Sequence, residues 1–337
     1  MGRFHRLLRA GQVAWHWQVA RTLAPPYLPA AVSIETTNRC NFRCSFCPQS
    51  RPEHAALNPV GALTPEQAGA MLDNLRAAGF DADQMSWTLD GEPFMNPRLG
   101  DIFDEAVARG FLHQNLASNG SRMTPARLRA LPRASSYVIL VDLCADATLF
   151  ETHRGTRGSW AVVVEHLREA LADPTLRHIR FHLGEISSLV CHDEAELAAR
   201  RRALRALFPA APNLSVYPVY HHDYLGRVSL PLGRMGGRAA RYHVCPYPWS
   251  TVNVACNGDV VACCRDGERR TVLGNLLRQP FLEIWHGEPY QRLRRDLRDG
   301  HPERQAACAG CDLPYDPQRF GAANLLRTAR MRLQLLD

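Results

Sequence analysis

The sequence predicts an α/β protein: six strands alternating with helices in a parallel sheet, followed by a small cysteine-rich module. Three observations predict it. Short apolar or β-branched runs alternate with helix-period segments as far as Val219, the pattern of right-handed βαβ units. Residues able to do chemistry recur just after those runs, where barrels of such units carry their functional loops. Past Gly226 the alternation fades and cysteines take over.

The elements follow in order. Met1 to Leu23 carries Arg3, Arg6, Arg9 and Arg21 among Phe4, Leu7, Leu8, Val13, Trp15 and Trp17, without the continuous apolar core of a signal peptide. Residues 1–29 read as a basic helical segment packed on the main domain; contact with a membrane surface is the alternative. Val32 to Thr36 is the first strand, ending at a cysteine loop. Thr64-Pro65-Glu66-Gln67 starts a helix, with a Thr cap, Pro at the first helical position and Gln three after the cap. Met85 to Leu89 is the second strand, and a helix from Leu99 stops at Gly110. His113 to Ala117 is the third strand, and Thr124-Pro125 opens the next helix. Tyr137 to Val141 is the fourth strand, ending at Asp142. Trp160 to Leu171 is helical, Ile179 to Leu183 a strand, Asp193 to Leu207 a helix, and Leu214 to Val219 the sixth strand. Thr251 to Ala255 and Val260 to Ala262 form a hairpin about Asn257-Gly258. The division expected is residues 30–225 for the main domain, 240–315 for the module and 316–337 for a helical tail.

Composition narrows the chemistry. All 40 basic residues are arginine, so a Schiff-base lysine and a P-loop lysine are both excluded. The formal charge of +7 suits an anionic substrate or an acidic electron donor, and no basic stripe interleaved with aromatics marks nucleic-acid binding. Eleven cysteines without a secretion signal read as metal ligands in a reducing cytoplasm.

Cys40, Cys44 and Cys47, with Phe46 before the last, have C-x-x-x-C-x-x-C spacing. Three such thiolates can hold three irons of a cubane and leave the fourth open to a small molecule. Buried or zinc-binding cysteines are the alternative. Cys245, Cys263, Cys308 and Cys311 form a second set able to enclose a complete four-thiolate site, with Cys264 as an alternative to Cys263 and a zinc site as the other reading.

The first trio resembles the radical S-adenosylmethionine (radical SAM) superfamily. That resemblance implies a partial (β/α)6 TIM-like barrel, a SAM-binding 4Fe–4S cluster on the first loop, and SAM chelating its open iron. Gly91-Glu92-Pro93 matches the family's G-E-P element, whose backbone and acidic side chain help hold the SAM amino group. Ser118 and Asn119 match a strand-end position near the SAM carboxylate or ribose. Arg154 resembles an arginine after the fourth strand that pairs with the SAM carboxylate. The second set resembles the auxiliary-cluster module of SPASM/twitch members. No cysteine follows Cys311, so the shorter twitch arrangement of an aminocyclitol dehydrogenase fits better than a full SPASM module.

Those implications give the expected function. Reductive SAM cleavage would yield a 5′-deoxyadenosyl radical that abstracts hydrogen from a small polar substrate. A sugar, aminocyclitol or nucleotide-sugar of natural-product (antibiotic) biosynthesis is expected, since about 30 residues before the first strand are short for a peptide-recognition domain. Oxidation through an auxiliary 4Fe–4S cluster leads; epimerisation, C–C or C–S bond formation and peptide maturation are alternatives, with a non-catalytic iron–sulfur or zinc protein last. A flavodoxin- or ferredoxin-type donor would supply electrons. Asp142 is a candidate for substrate or SAM contact, and Cys144 for returning a hydrogen atom, although buried free cysteines commonly only fill space. His221, His222, Asp223 and Tyr224 read as a solvated loop or as the substrate end of the barrel.

Overall fold

The structure, a computed structural model, describes residues 11–219, 221–230 and 242–315. Arg3, Arg6, Arg9 and the expected tail of residues 316–337 lie outside them. Six strands run parallel in sequence order: β1 (Ala31–Ile34), β2 (Gln84–Ser86), β3 (His113–Ser118), β4 (Ser136–Leu143), β5 (Ile179–Glu185) and β6 (Leu214–Pro218). β7 (Thr251–Val254), β8 (Asp259–Val261) and β9 (Val272–Asn275) extend the same sheet, giving the order β6-β5-β4-β3-β2-β1-β7-β8-β9 without closure. β7 lies parallel to β1 from Ala31↔Thr251 to Ile34↔Val254. An open barrel leaves the β1 edge with unpaired backbone groups, and β7 covers it.

The expected helix starts are present. Thr64 caps the Pro65–Ala77 helix in a reciprocal box with Gln67. Tyr137, Ile139, Val141 and Leu143 of β4 are buried in one core with Leu72, Phe103 and Leu167 of the helices. The alternate residues Val138, Leu140 and Asp142 are half-buried on the opposite face. That face is the barrel interior.

Several elements differ from expectation. β4 continues to Leu143, so Asp142 sits inside the strand, paired with Gly184, and not at its end. A helix at Ala147–Arg154 follows, capped by Asp146 accepting from the Leu149 N–H at 3.0 Å and ended by Gly155 at φ +66. Arg154, after the fourth strand as expected, therefore belongs to the last turn of that helix. β9 is a strand where none is expected, and short helices at Phe281–Trp285 and Glu288–Arg298 follow it. β9 is specified by pairing with β8, a tertiary cause that a four-residue run cannot reveal.

The described part of the N-terminal segment packs on the C-terminal module. Trp17 Nε1 donates to Val244 O at 3.0 Å and Trp249 Nε1 to Thr22 O at 2.7 Å. Arg294, fully buried, stacks on Trp285 and Tyr290 and donates to the carbonyls of Leu23, Pro248 and Trp285. Trp15 and Val19 remain exposed. Among the described residues no helix is long and apolar enough to cross a membrane.

Candidate active site

The cysteine loop leaves the C-terminal end of β1 and is pinned from two sides. The Arg43 N–H donates to Arg154 O at 3.3 Å and the Ser45 N–H to His153 O at 2.8 Å. A Cβ at Gly155 would overlap the Arg43 carbonyl, which is why a glycine ends that helix. On the other side the Glu92 N–H donates to Arg39 O at 2.7 Å. Gly91 there has φ +74, in the left-handed region glycine tolerates.

Cys44 is buried, and Cys40 and Cys47 are half-buried. The three thiols are electrostatic neighbours. Burial pushes Cys40 up to about 11, and raises Cys44 and, more strongly, Cys47. A metal binding here must displace protons from thiols that are otherwise neutral. Asn119 Nδ2 reaches Cys40 Sγ at 3.8 Å and Asn41 Oδ1 at 3.0 Å, tying the end of β3 to the loop.

Glu92 is the hub behind the loop. Its Oε1 accepts from Ser118 Oγ at 2.8 Å and from the Phe94 N–H at 3.1 Å, while Oε2 accepts from the Asn119 N–H at 2.6 Å. A carboxylate offers about four lone-pair sites; three are used inside the protein. The side chain is 1% exposed, and burial raises its pKa against those donors. The carboxyl group therefore also braces the start of the turn after β3 against the G-E-P turn. Ser118 also accepts from the Gly120 N–H at 3.0 Å.

Arg154 is buried beside Cys44, Cys40, Asp142 and Glu92. Its guanidinium lies 5.4–5.7 Å from the ring centroids of Phe42, Phe46 and Phe150 and 3.8 Å from Asp142 Oδ2. Burial disfavours its charge, yet Cys44, Asp142, Cys40 and Glu92 around it raise its pKa overall. Its Nε is buried without a hydrogen-bond partner. Three thiols and an incompletely partnered cation fit a cubane with an open iron and an anionic ligand on it.

His221, for which a solvated loop or the substrate end of the barrel is expected, is held beside the cysteine loop. Its ring stands 4.5 Å from Phe46, Nδ1 is 3.1 Å from Ser188 Oγ, and Nε2 is buried without a partner. Burial, then Arg154 and His153, push its pKa down to about 3. Asp142 and the Tyr217 hydroxyl both crowd the position where Gly184 lacks a side chain. Cys144 is not brought to this site. It is 1% exposed, donates to Asp146 O at 3.2 Å, and has Glu185, Asp146 and Arg200 as charged neighbours.

The second set converges on one cavity lined by Cys245, Cys263, Cys308 and Cys311 together with Arg265, Tyr247 and Leu225. Cys263 stands in its wall; Cys264 does not line it and is exposed. Gly310, between the last two cysteines, packs against the Leu225 carbonyl so closely that a Cβ would stand 2.5 Å from it. Four thiols around a cavity fit a cluster with all irons held by protein. Among the described residues, no group of His, Cys, Asp or Glu is gathered tightly enough to share a single ion.

Comparison with known proteins agrees with this geometry. Residues 34–173 match the radical SAM superfamily model, and residues 245–312 match SPASM, an iron–sulfur cluster-binding domain. The S-adenosyl-L-methionine-dependent 2-deoxy-scyllo-inosamine dehydrogenase of Niallia circulans is 21% identical over 286 residues, 83% of this chain and 92% of that protein. The PqqA peptide cyclase of Streptomyces rochei is 28% identical over 316 residues, 84% of each. The crystal structure of BtrN in complex with AdoMet and 2-DOIA superposes with a TM-score of 0.57 at 19% identity, covering 85% of this chain and 94% of that one. The two domains imply one 4Fe–4S cluster each. The chain belongs to the radical SAM superfamily of enzymes and carries a SPASM-type iron–sulfur domain towards its C-terminal end.

Proposed function

We propose that this enzyme oxidises a small polar molecule, a sugar, aminocyclitol or nucleotide-sugar of natural-product biosynthesis, by removing hydrogen through SAM-derived radical chemistry. One contrast carries the reading: three thiols on the first loop, four around the second cavity. The first set leaves an iron for SAM, and the second leaves none for substrate, which suits an electron acceptor. Bound and reduced, the first cluster and SAM together supply a 5′-deoxyadenosyl radical. Cys40, Cys44 and Cys47 are assigned to that cluster, and Cys245, Cys263, Cys308 and Cys311 to the second. The Gly91-Glu92-Pro93 backbone and Asn119 border the SAM site, with Glu92 and Ser118 holding them. Arg154 faces the SAM carboxylate, and Asp142 the substrate in the barrel interior. The burial of Cys144 counts against it as a hydrogen donor and favours oxidation over epimerisation. The dehydrogenase relative, matched along 92% of its length, supports the same reading.

A division at residues 1–29, 30–225, 240–315 and 316–337 accompanies this proposal. So do a cytoplasmic location, in keeping with free thiols, and a flavodoxin- or ferredoxin-type electron donor. A second reading, maturation of a peptide, is favoured by the peptide cyclase relative.

The test is anaerobic reconstitution, iron and sulfide counting, and SAM turnover with dithionite and 2-deoxy-scyllo-inosamine as the first candidate substrate. About eight irons per chain, 5′-deoxyadenosine and a product lacking two hydrogens are expected. About four irons with turnover would remove the electron-acceptor role. Turnover of a peptide carrying new crosslinks, with aminocyclitols and sugars inert, would establish the second reading instead.

A further inference from the structure

We propose that Arg265 sets the reduction potential of the second cluster, as a fixed cation facing its thiolates. The inference rests on the reading of that cavity as a cluster site. Arg265 lines the cavity together with Cys245, Cys263, Cys308 and Cys311. Its side chain is 4% exposed, and NH1 lies 3.2 Å from Asp312 Oδ1, whose side chain is also 4% exposed. Asp312 follows the ligand Cys311 in sequence but is not among the cavity's lining residues. Arg265 thus borders the cavity and is held there by a buried carboxylate outside the lining. Tyr247, Cys311, Cys264 and Asp312 are its electrostatic neighbours.

The physics gives a sign. A cluster that accepts one electron gains one negative charge, and no proton accompanies it from arginine, which stays protonated in proteins. In a buried, weakly screened cavity a nearby cation stabilises the reduced form more than the oxidised one, so the potential rises. Guanidinium N–H groups donating to cluster or cysteine sulfur act in the same direction. Asp312 opposes the effect in part and fixes the side chain's rotamer. A higher potential adds driving force for taking an electron from a carbon radical. The residue does not touch substrate, so it is a positioning residue.

The experiment uses the full chain carrying Cys40→Ala, Cys44→Ala and Cys47→Ala, so that only the second site loads iron. Its potential is read by an electron-paramagnetic-resonance redox titration, with iron counted on each sample. Arg265→Met is expected to lower the reduction equilibrium at least tenfold, 59 mV for one electron. Arg265→Lys is expected to keep most of the parent value. Asp312→Asn is expected to move the potential the other way, upward, which loss of structure alone would not do. An unchanged potential in iron-replete Arg265→Met overturns the proposal, as does a downward shift in Asp312→Asn. Where Arg265→Met fails to load iron, Asp312→Asn decides: an upward shift supports the assignment and no shift overturns it. Zinc, or no metal, in the parent variant overturns the cluster reading and this proposal together, and metal analysis separates that outcome from the others.

Discussion

Alanine at position 91 would test whether the G-E-P turn holds the first cysteine loop in place. Gly91 has φ +74, and a Cβ there would overlap the Thr37 carbonyl and stand 2.8 Å from Asn38 Cα and 2.9 Å from Arg39 O. All three are backbone atoms of the segment leading into Cys40, so no side chain can rotate away. The left-handed conformation costs an alanine ~1–2 kcal/mol. Overpacking a rigid contact adds typically ~1–3 kcal/mol, for a total of about 2–5 kcal/mol. Gly79 separates the two contributions, because it has φ +84 but nothing within 4 Å of its would-be Cβ. Gly79→Ala should therefore lose ~1–2 kcal/mol and keep its iron. Gly91→Ala should lose more and reconstitute with iron deficient at the first site. Urea unfolding and iron counts on both variants measure this. Equal losses of stability, with full iron in Gly91→Ala, would refute the claim that this turn is jammed against the loop.

The other predictions use the same reconstituted protein. Cys264→Ser should retain full iron, whereas Cys263→Ser should lose iron from the second site; the reverse result would exchange the two ligands. Arg154→Gln should weaken SAM binding about tenfold or more, ~1.4 kcal/mol, at unchanged iron content, measured by equilibrium dialysis of SAM; unaltered affinity would remove Arg154 from the SAM site. His221 should make the fold sensitive to acid. Its folded pKa is lowered to about 3 by burial, so below pH ~6.5 the unfolded chain takes up a proton that the folded chain refuses. The stability it contributes is present above pH ~6.5 and is lost as pH falls towards the folded value. His221→Gln should flatten the drop in urea midpoint between pH 7 and pH 5, and an unchanged slope would assign acid sensitivity to other groups.

Much of this arrangement was legible from local signals. The Cys40–Cys47 spacing, the Thr64 capping box and the Asn257-Gly258 turn each involve residues close in sequence, and each stands as expected. The Ala147–Arg154 helix is not among the expected elements, because its apolar periodicity is short, although Asp146 caps it and Gly155 ends it. What sequence could not show is set by contacts between distant segments. Glu92 turns inward because Ser118 and the Asn119 N–H meet it from β3, 26 and 27 residues away. His221 is ordered by Phe46 and Ser188, neither near it in the chain. Choosing Cys263 over Cys264 required knowing which of two adjacent thiols lines the cavity.

The continuity of the sheet bears most directly on mechanism. β1 carries the first cysteine loop at its end, and β7, its parallel neighbour, begins six residues after Cys245. Just past these strands, Glu35 accepts from the Cys256 N–H at 3.0 Å and lies 3.8 Å from Arg269 NH2. Farther along, Glu268 of the module meets Arg227 at 3.1 Å and Arg51 at 3.5 Å, while His54 holds Asp90 at 2.8 Å. Arg51 and His54 follow Cys47 closely, and Asp90 immediately precedes the G-E-P turn. The module is thus fastened to the strand and loops that hold the first site, and does not hang from a linker. Electron transfer falls steeply with distance, so two clusters serving one substrate need a fixed separation. A shared sheet, backed by the contacts of the nearly buried Glu35 and Glu268 with arginines, supplies it.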